Sequence, residues 1–142
     1  MAMPAVALLP TVDGSPIPHV PLTPQPFIVS GPAPGIRWPA HVSAQLTSPG
    51  EPLVLVFFGE AAIHAPALGF SRRSLRRPAV GYVLVDPVMP AIGGEYGDWP
   101  DAPVTVVLSN NPPDHARDAA MQARLRGWQV STGSLESVLT GT

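Results

Sequence analysis

The sequence has no cysteine and no lysine among its 142 residues. Without cysteine there is no disulfide framework, no thiolate nucleophile and no cysteine-ligated zinc. Charged residues make up only 13% of the chain, and the formal net charge is −2. That balance excludes the basic surface on which non-specific nucleic-acid binding depends, so no nucleic-acid partner is expected. No apolar run approaches the roughly 18 residues of a membrane span, so no membrane partner is expected either. No basic residue precedes Arg37, and a secretory signal peptide is not expected. The length suits one domain over residues 1–142, and a cytoplasmic location is the expectation. Arginine in place of lysine, with abundant Ala, Pro and Gly, is the style of a GC-rich genome. It bears on source and not on mechanism.

What the chain has in excess is proline. There are 20 prolines and 13 glycines. Spread evenly, that load would approach the roughly 25–30% associated with disorder. It is not spread evenly: half of the prolines fall between Pro4 and Pro39. Residues 1–26 therefore read as a loop-like part, because each proline lacks a donor and constrains the residue before it.

Beyond that part the chain alternates. Ala5-Val6-Ala7-Leu8-Leu9 is a short apolar run that suits either a buried strand or a tail. Phe27-Ile28-Val29-Ser30 reads as a strand. Residues 38–46 read as a short helix, with Trp38, Val42 and Leu46 four apart and Pro39 in its first turn. Leu53-Val54-Leu55-Val56-Phe57-Phe58 is the strongest strand signal. It does not alternate, which marks a strand covered on both faces. Residues 60–76 read as a helix delayed or kinked by Pro66. Residues 79–85 and 104–108 are two more buried strands. Asn110 to Asp114 open a helix whose apolar face is Ala116, Ala119, Ala120 and Ala123, and Gly127 stops it. Residues 128–131 form a last short strand, and Ser134 caps a terminal helix. The alternation predicts an α/β fold of three layers, αβα, with a mostly parallel sheet of about five to six strands.

This order, with several local strings, resembles the α/β-hydrolase family in a shortened form. Leu53 to Ala62 is similar to the strand-to-helix region that holds the family's nucleophile. Tyr82-Val83-Leu84-Val85-Asp86-Pro87 is similar to the strand that follows. Trp99 to Val104 resembles the approach to the next strand, and Arg126-Gly127-Trp128 the approach to the last. Leu8 to Gly14 is similar to the oxyanion-loop strand, and Phe27 to Gly35 to the strand and turn after it. No counterpart of the family's first two strands or of its lid domain is found. The family places its nucleophile in a Gly-x-nucleophile-x-Gly turn. Here that position is Gly59, or Ala61 in a register shifted by two. The region after the last strand, Thr132-Gly133-Ser134-Leu135, has no histidine. The resemblance thus implies the scaffold without ordinary serine-hydrolase catalysis, which needs base and nucleophile together.

Residues for other chemistry remain. Glu60 follows the turn and reads either as a general acid or base or as a carboxylate on a helix N-terminus. His64, four residues on, would share its face in an α-helix and form a proton-shuttling pair, or else pack as an ordinary histidine. The two are too few for a metal site, and neither metal nor cofactor is expected. Phe57, Phe58 and Gly59 are candidate substrate contacts. So are Tyr96 and Trp99, in a Gly-rich loop that stands where the family often inserts a lid. His19, His41 and the Asp114–His115 pair read as structural. Arg72, Arg73, Arg76 and Arg77 read either as a solvated helix end or as a dock for an acidic carrier protein. Two functional expectations follow. One is a non-hydrolytic tailoring enzyme of natural-product biosynthesis, acting on a small apolar, acyl- or ketide-like molecule by proton transfer, cyclisation or elimination. The other is a non-catalytic module that binds a ligand or supports a partner enzyme. A homodimer is expected to cover the edge of the cut sheet.

Overall fold

The computed structural model describes residues 5–22, 25–47, 52–92 and 99–140. Six strands form one sheet: β1 (Ala5–Leu8), β2 (Phe27–Ile28), β3 (Leu53–Phe58), β4 (Gly81–Val85), β5 (Val104–Val107) and β6 (Gln129–Ser131). Every neighbouring pair is parallel, and the order across the sheet is β2-β1-β3-β4-β5-β6. Four α-helices accompany them: α1 (Trp38–Gln45), α2 (Ala65–Ser74), α3 (Asp114–Leu125) and α4 (Leu135–Thr140). The expected α/β architecture of three layers is present.

The continuous apolar runs explain the sandwich. On β3, Leu55 and Phe57 face one core, while Val56 and Phe58 face the other. The first core receives Trp38 and Val42 of α1, Leu68 of α2 and Ala116, Ala120 and Ala123 of α3. The second is closed by Leu135, Val138 and Leu139 at α4 and by Ile17, Val20 and Leu22 of the proline-rich connector. Right-handed crossovers dictate this division. The step from β1 to β2 runs in one direction along the sheet and every later step runs in the other, so the first connection lies on the opposite face. Proline forbids a helix there, and an extended segment does the covering instead.

Local signals end the helices. Gly127 sits at φ 79° after α3. The Trp128 amide donates to the Ala123 carbonyl at 2.9 Å, and the Gly127 amide to that of Arg124 at 3.1 Å. This is the double closure of a left-handed helix stop. Helix α2 ends in the same way around Arg76 at φ 59°, a non-glycine in the left-handed region. The Ser134 hydroxyl caps α4 by accepting from the Ser137 amide. At α3 Pro113 occupies the cap position, and no side chain caps the helix. The long helix expected over residues 60–76 is also divided, into a 3₁₀ segment (Gly59–His64) and α2, with Pro66 in the first turn of the latter.

Candidate functional site at the carboxyl edge of the sheet

In an open parallel sheet, ligands bind beyond the carboxyl ends of the strands where the strand order reverses. Here the order reverses between β1 and β3. A cleft of about 330 Å³ lies there, lined by Thr11, Val12, Asp13 and Ser15 after β1, by Phe58, Gly59 and Glu60 at the end of β3, and by His115 at the start of α3.

Gly59 is the hinge of this site. It stands at φ 60°, as the first residue of the 3₁₀ segment directly after β3. A Cβ built on it meets nothing within 4 Å. Glycine is therefore favoured by backbone conformation and not by crowding. Its carbonyl accepts from the Val88 amide at 3.2 Å, which ties the turn to the chain after β4.

The opposite wall is a tight turn around Gly14. The Ser15 amide and hydroxyl both donate to Asp13 Oδ1, at 3.0 and 2.7 Å, and the Thr11 hydroxyl donates to the Ser15 carbonyl at 2.7 Å. The Ser15 amide, followed by its hydroxyl, holds the Asp13 carboxyl below its ordinary pKa. This carboxylate is a fixed negative charge rather than a proton donor. His115 Nε2 lies 3.3 Å from the carbonyl of Asp86. A carbonyl only accepts, so Nε2 is the donor in this contact.

The sequence-derived candidates separate on the structure. Phe58, Gly59 and Glu60 line the cleft, and Glu60 is exposed. Phe57 does not line it: the side chain is 0% exposed in the first core, 6.4 Å from Trp38 between ring centroids. His64 is also elsewhere, stacked on Trp38 at 4.9 Å with 21° between the planes. The 3₁₀ segment explains this, since at three residues per turn positions four apart point a third of a turn away from each other. Burial, then the charge of Arg37, lowers the pKa of His64. Trp99 is buried, edge-on to Tyr82 at 5.2 Å and to Trp128 at 5.7 Å. Tyr96 and the glycines of the expected lid lie outside the described residues.

The arginine cluster is not one exposed face, which corrects the expectation of a four-residue dock. Arg72 is 2% exposed, donating from Nη1 to the Leu46 carbonyl at 2.7 Å and from Nε to that of Arg77 at 2.9 Å. Arg77 reaches the Thr47 carbonyl at 3.1 Å, and Arg73 pairs with Asp101 at 3.4 Å. Arg72 and Arg77 bind the end of α2 to the end of α1.

Asp13, Ser15, Thr11 and His115 were not singled out as site residues by the sequence. The available signal was topological: each follows β1 or β5, on the edge where such sheets bind ligands. Comparison with protein-family models, with curated proteins and with solved structures finds no match for this chain.

Proposed function

We propose that the chain is a shortened α/β-hydrolase-like protein without a catalytic triad, which binds a small, largely apolar molecule in the cleft between β1 and β3. The observation that carries this reading is Gly59. A strand-to-helix turn held at φ 60°, at the reversal of strand order, with open space where a side chain would project, has the character of a nucleophile turn from which the nucleophile is absent. Val12 and Phe58 supply apolar contact in the cleft, and Glu60 supplies a carboxylate at its rim. Covalent acyl transfer has no nucleophile at this turn. Proton transfer by Glu60, leading to isomerisation, cyclisation or elimination of an acyl- or ketide-like ligand, fits the groups present.

A thermal-shift screen of acyl, ketide-like and aromatic small molecules tests the reading, with Val12→Trp as a variant that fills the cleft from an exposed loop position. At least one compound is expected to raise the melting temperature of the wild type and not of Val12→Trp. Absence of any such compound overturns the proposal. A second reading, a non-catalytic subunit supporting a partner, is favoured by edge strand β2, where Ile28 is 62% exposed. Glu60→Gln separates the two: loss of turnover with binding retained supports catalysis, and an unchanged ligand identifies a binding subunit.

A further inference from the structure

We propose that β2 is the seam of a symmetric dimer, in which a second copy of this chain pairs antiparallel along the open edge with Ile28 on the two-fold axis. The inference gives the homodimer expected from the cut sheet a definite edge and axis, and it holds whatever the cleft binds.

Strand β2 is the last in the sheet order, so one of its sides is open. Successive residues of a strand aim their amide and carbonyl to alternate sides. The Val29 amide donates to the Leu8 carbonyl at 3.0 Å, so Phe27 and Val29 turn to β1. Pro26, Ile28 and Ser30 therefore turn outward. Their groups are self-complementary about Ile28. Two copies of Ile28 exchange amide and carbonyl in both directions, and each Ser30 amide meets the Pro26 carbonyl of the other copy. The reverse bond would need an amide on Pro26, which proline lacks. The acceptor which that leaves over, the Ser30 carbonyl, already accepts from His41 Nε2 at 2.9 Å. Every backbone group of the seam thus finds a partner. With the axis moved to Phe27, the Ile28 carbonyl would instead face Pro26 and find no donor.

The side chains agree. Ile28 is 62% exposed and Phe27 39%, and neither belongs to a core. In this register Ile28 meets its own copy on one face of the sheet. On the other face Phe27 lies opposite Val29 of the second copy, an aromatic and β-branched pair. Charge selects the occupant. From Gly14 to Ile36 the chain has no Asp, Glu, Lys or Arg. This stretch supplies β2 and most of the walls of the two grooves that flank Ile28, among them Pro21 and Leu22 on one side and Ile17 and Gly31 on the other. A two-fold axis sets each group beside its own copy, so a charge at this edge would face its like. A charge-free edge is the surface that a second copy can meet without that repulsion.

The chain has no cysteine, so Ile28→Cys carries a single thiol. The Cα atoms of a hydrogen-bonded antiparallel pair stand about 5.5 Å apart, within the span that a disulfide bridges. Oxidised glutathione is expected to convert Ile28→Cys to a covalent dimer and to leave Met121→Cys, exposed on α3, uncrosslinked. Analytical ultracentrifugation of the full chain at micromolar concentration is expected to show a dimer. Ile28→Lys and Ile28→Glu should each raise its dissociation constant at least about tenfold, with an unchanged circular dichroism spectrum because the side chain is exposed. An equal mixture of the two should restore the dimer, since only on a two-fold axis does a residue meet its own copy. A wild type that sediments as a monomer overturns the proposal, as does a dimer that both substitutions leave intact or that Met121→Cys crosslinks in place of Ile28→Cys. A mixture that stays monomeric overturns the axis at Ile28.

Discussion

Gly69 sets two physical effects against each other. It lies inside α2, where replacing glycine by alanine ordinarily stabilises a helix by about 0.5–1 kcal/mol. Here a Cβ would stand 2.5 Å from the Tyr82 hydroxyl oxygen and 2.8 Å from Trp99 Cδ1. Neither neighbour has room to retreat. Tyr82 and Trp99 are both buried, and the Tyr82 hydroxyl donates to Asp101 Oδ1 at 2.6 Å. Burial, reinforced by the Asp101 carboxylate, drives the Tyr82 pKa up, so the hydroxyl keeps its proton and remains a donor. Asp101 in turn pairs with Arg73. Overpacking a core costs about 1–3 kcal/mol, and losing a hydrogen bond to a charged acceptor costs about 1.5–3 kcal/mol. Set against the helix gain, Gly69→Ala should destabilise by about 3 kcal/mol, a fall of about 10 °C in a domain of this size. Chemical denaturation followed by circular dichroism measures the free energy. Tyr82→Phe removes the closest atom, so the double variant should recover about 1 kcal/mol relative to the sum of the singles, the signature of contact coupling. Trp99 keeps the rescue partial. A stabilised Gly69→Ala would refute the reasoning, because helix propensity alone would then have decided the outcome.

Arg72→Met keeps much of the buried volume but orphans the carbonyls of Leu46 and Arg77. A loss of about 3 kcal/mol is expected in urea denaturation, and a loss under about 1 kcal/mol would return Arg72 to the role of a dispensable surface charge. His64 has a lowered pKa in the fold, so the unfolded chain binds the extra proton first. Its contribution is complete above the ordinary histidine value of about 6.5 and is lost as pH falls through the interval down to the folded value. His64→Asn should flatten that decline below about pH 6.5, and an unchanged slope would show that another group sets it.

Where periodicity was strong, the sequence was legible. The runs at β3, β4 and β5 do not alternate, and each is buried on both faces. Gly127 stops α3 by the conformation that glycine favours, and the alanines of α3 face the core as their spacing requires. Arg72 was misread because residue type was allowed to outweigh phase. It falls four residues after Leu68 and seven after Ala65, both buried on α2, so its position is a core position in spite of its charge. The separation of Glu60 from His64 was not legible, since nothing in residues 59–64 announces three residues per turn rather than 3.6. The wall formed by Thr11, Asp13 and Ser15 was hidden for another reason. It depends on which strand β3 pairs with, a long-range fact that local patterns do not contain.

The proline excess and the cleft have one origin. Because β2 pairs on the far side of β1, the first crossover is driven onto the face that the other four crossovers leave bare. A helix is the usual cover for such a face, but an extended chain placing Ile17, Val20 and Leu22 on the sheet also closes it, and proline lowers the entropy such a chain loses on ordering. The same crossover must leave β1 at its carboxyl end, beside the end of β3. Its first turn, from Thr11 to Ser15, thereby becomes one wall of the cleft, opposite Gly59. Rigidity in this connector therefore serves two ends: it completes the second core, and it fixes Asp13 opposite the Gly59 turn. Loosening it at an exposed proline such as Pro16 or Pro18 would unsettle stability and the cleft wall together, whereas an equal loosening in α3 beyond His115 would touch stability alone.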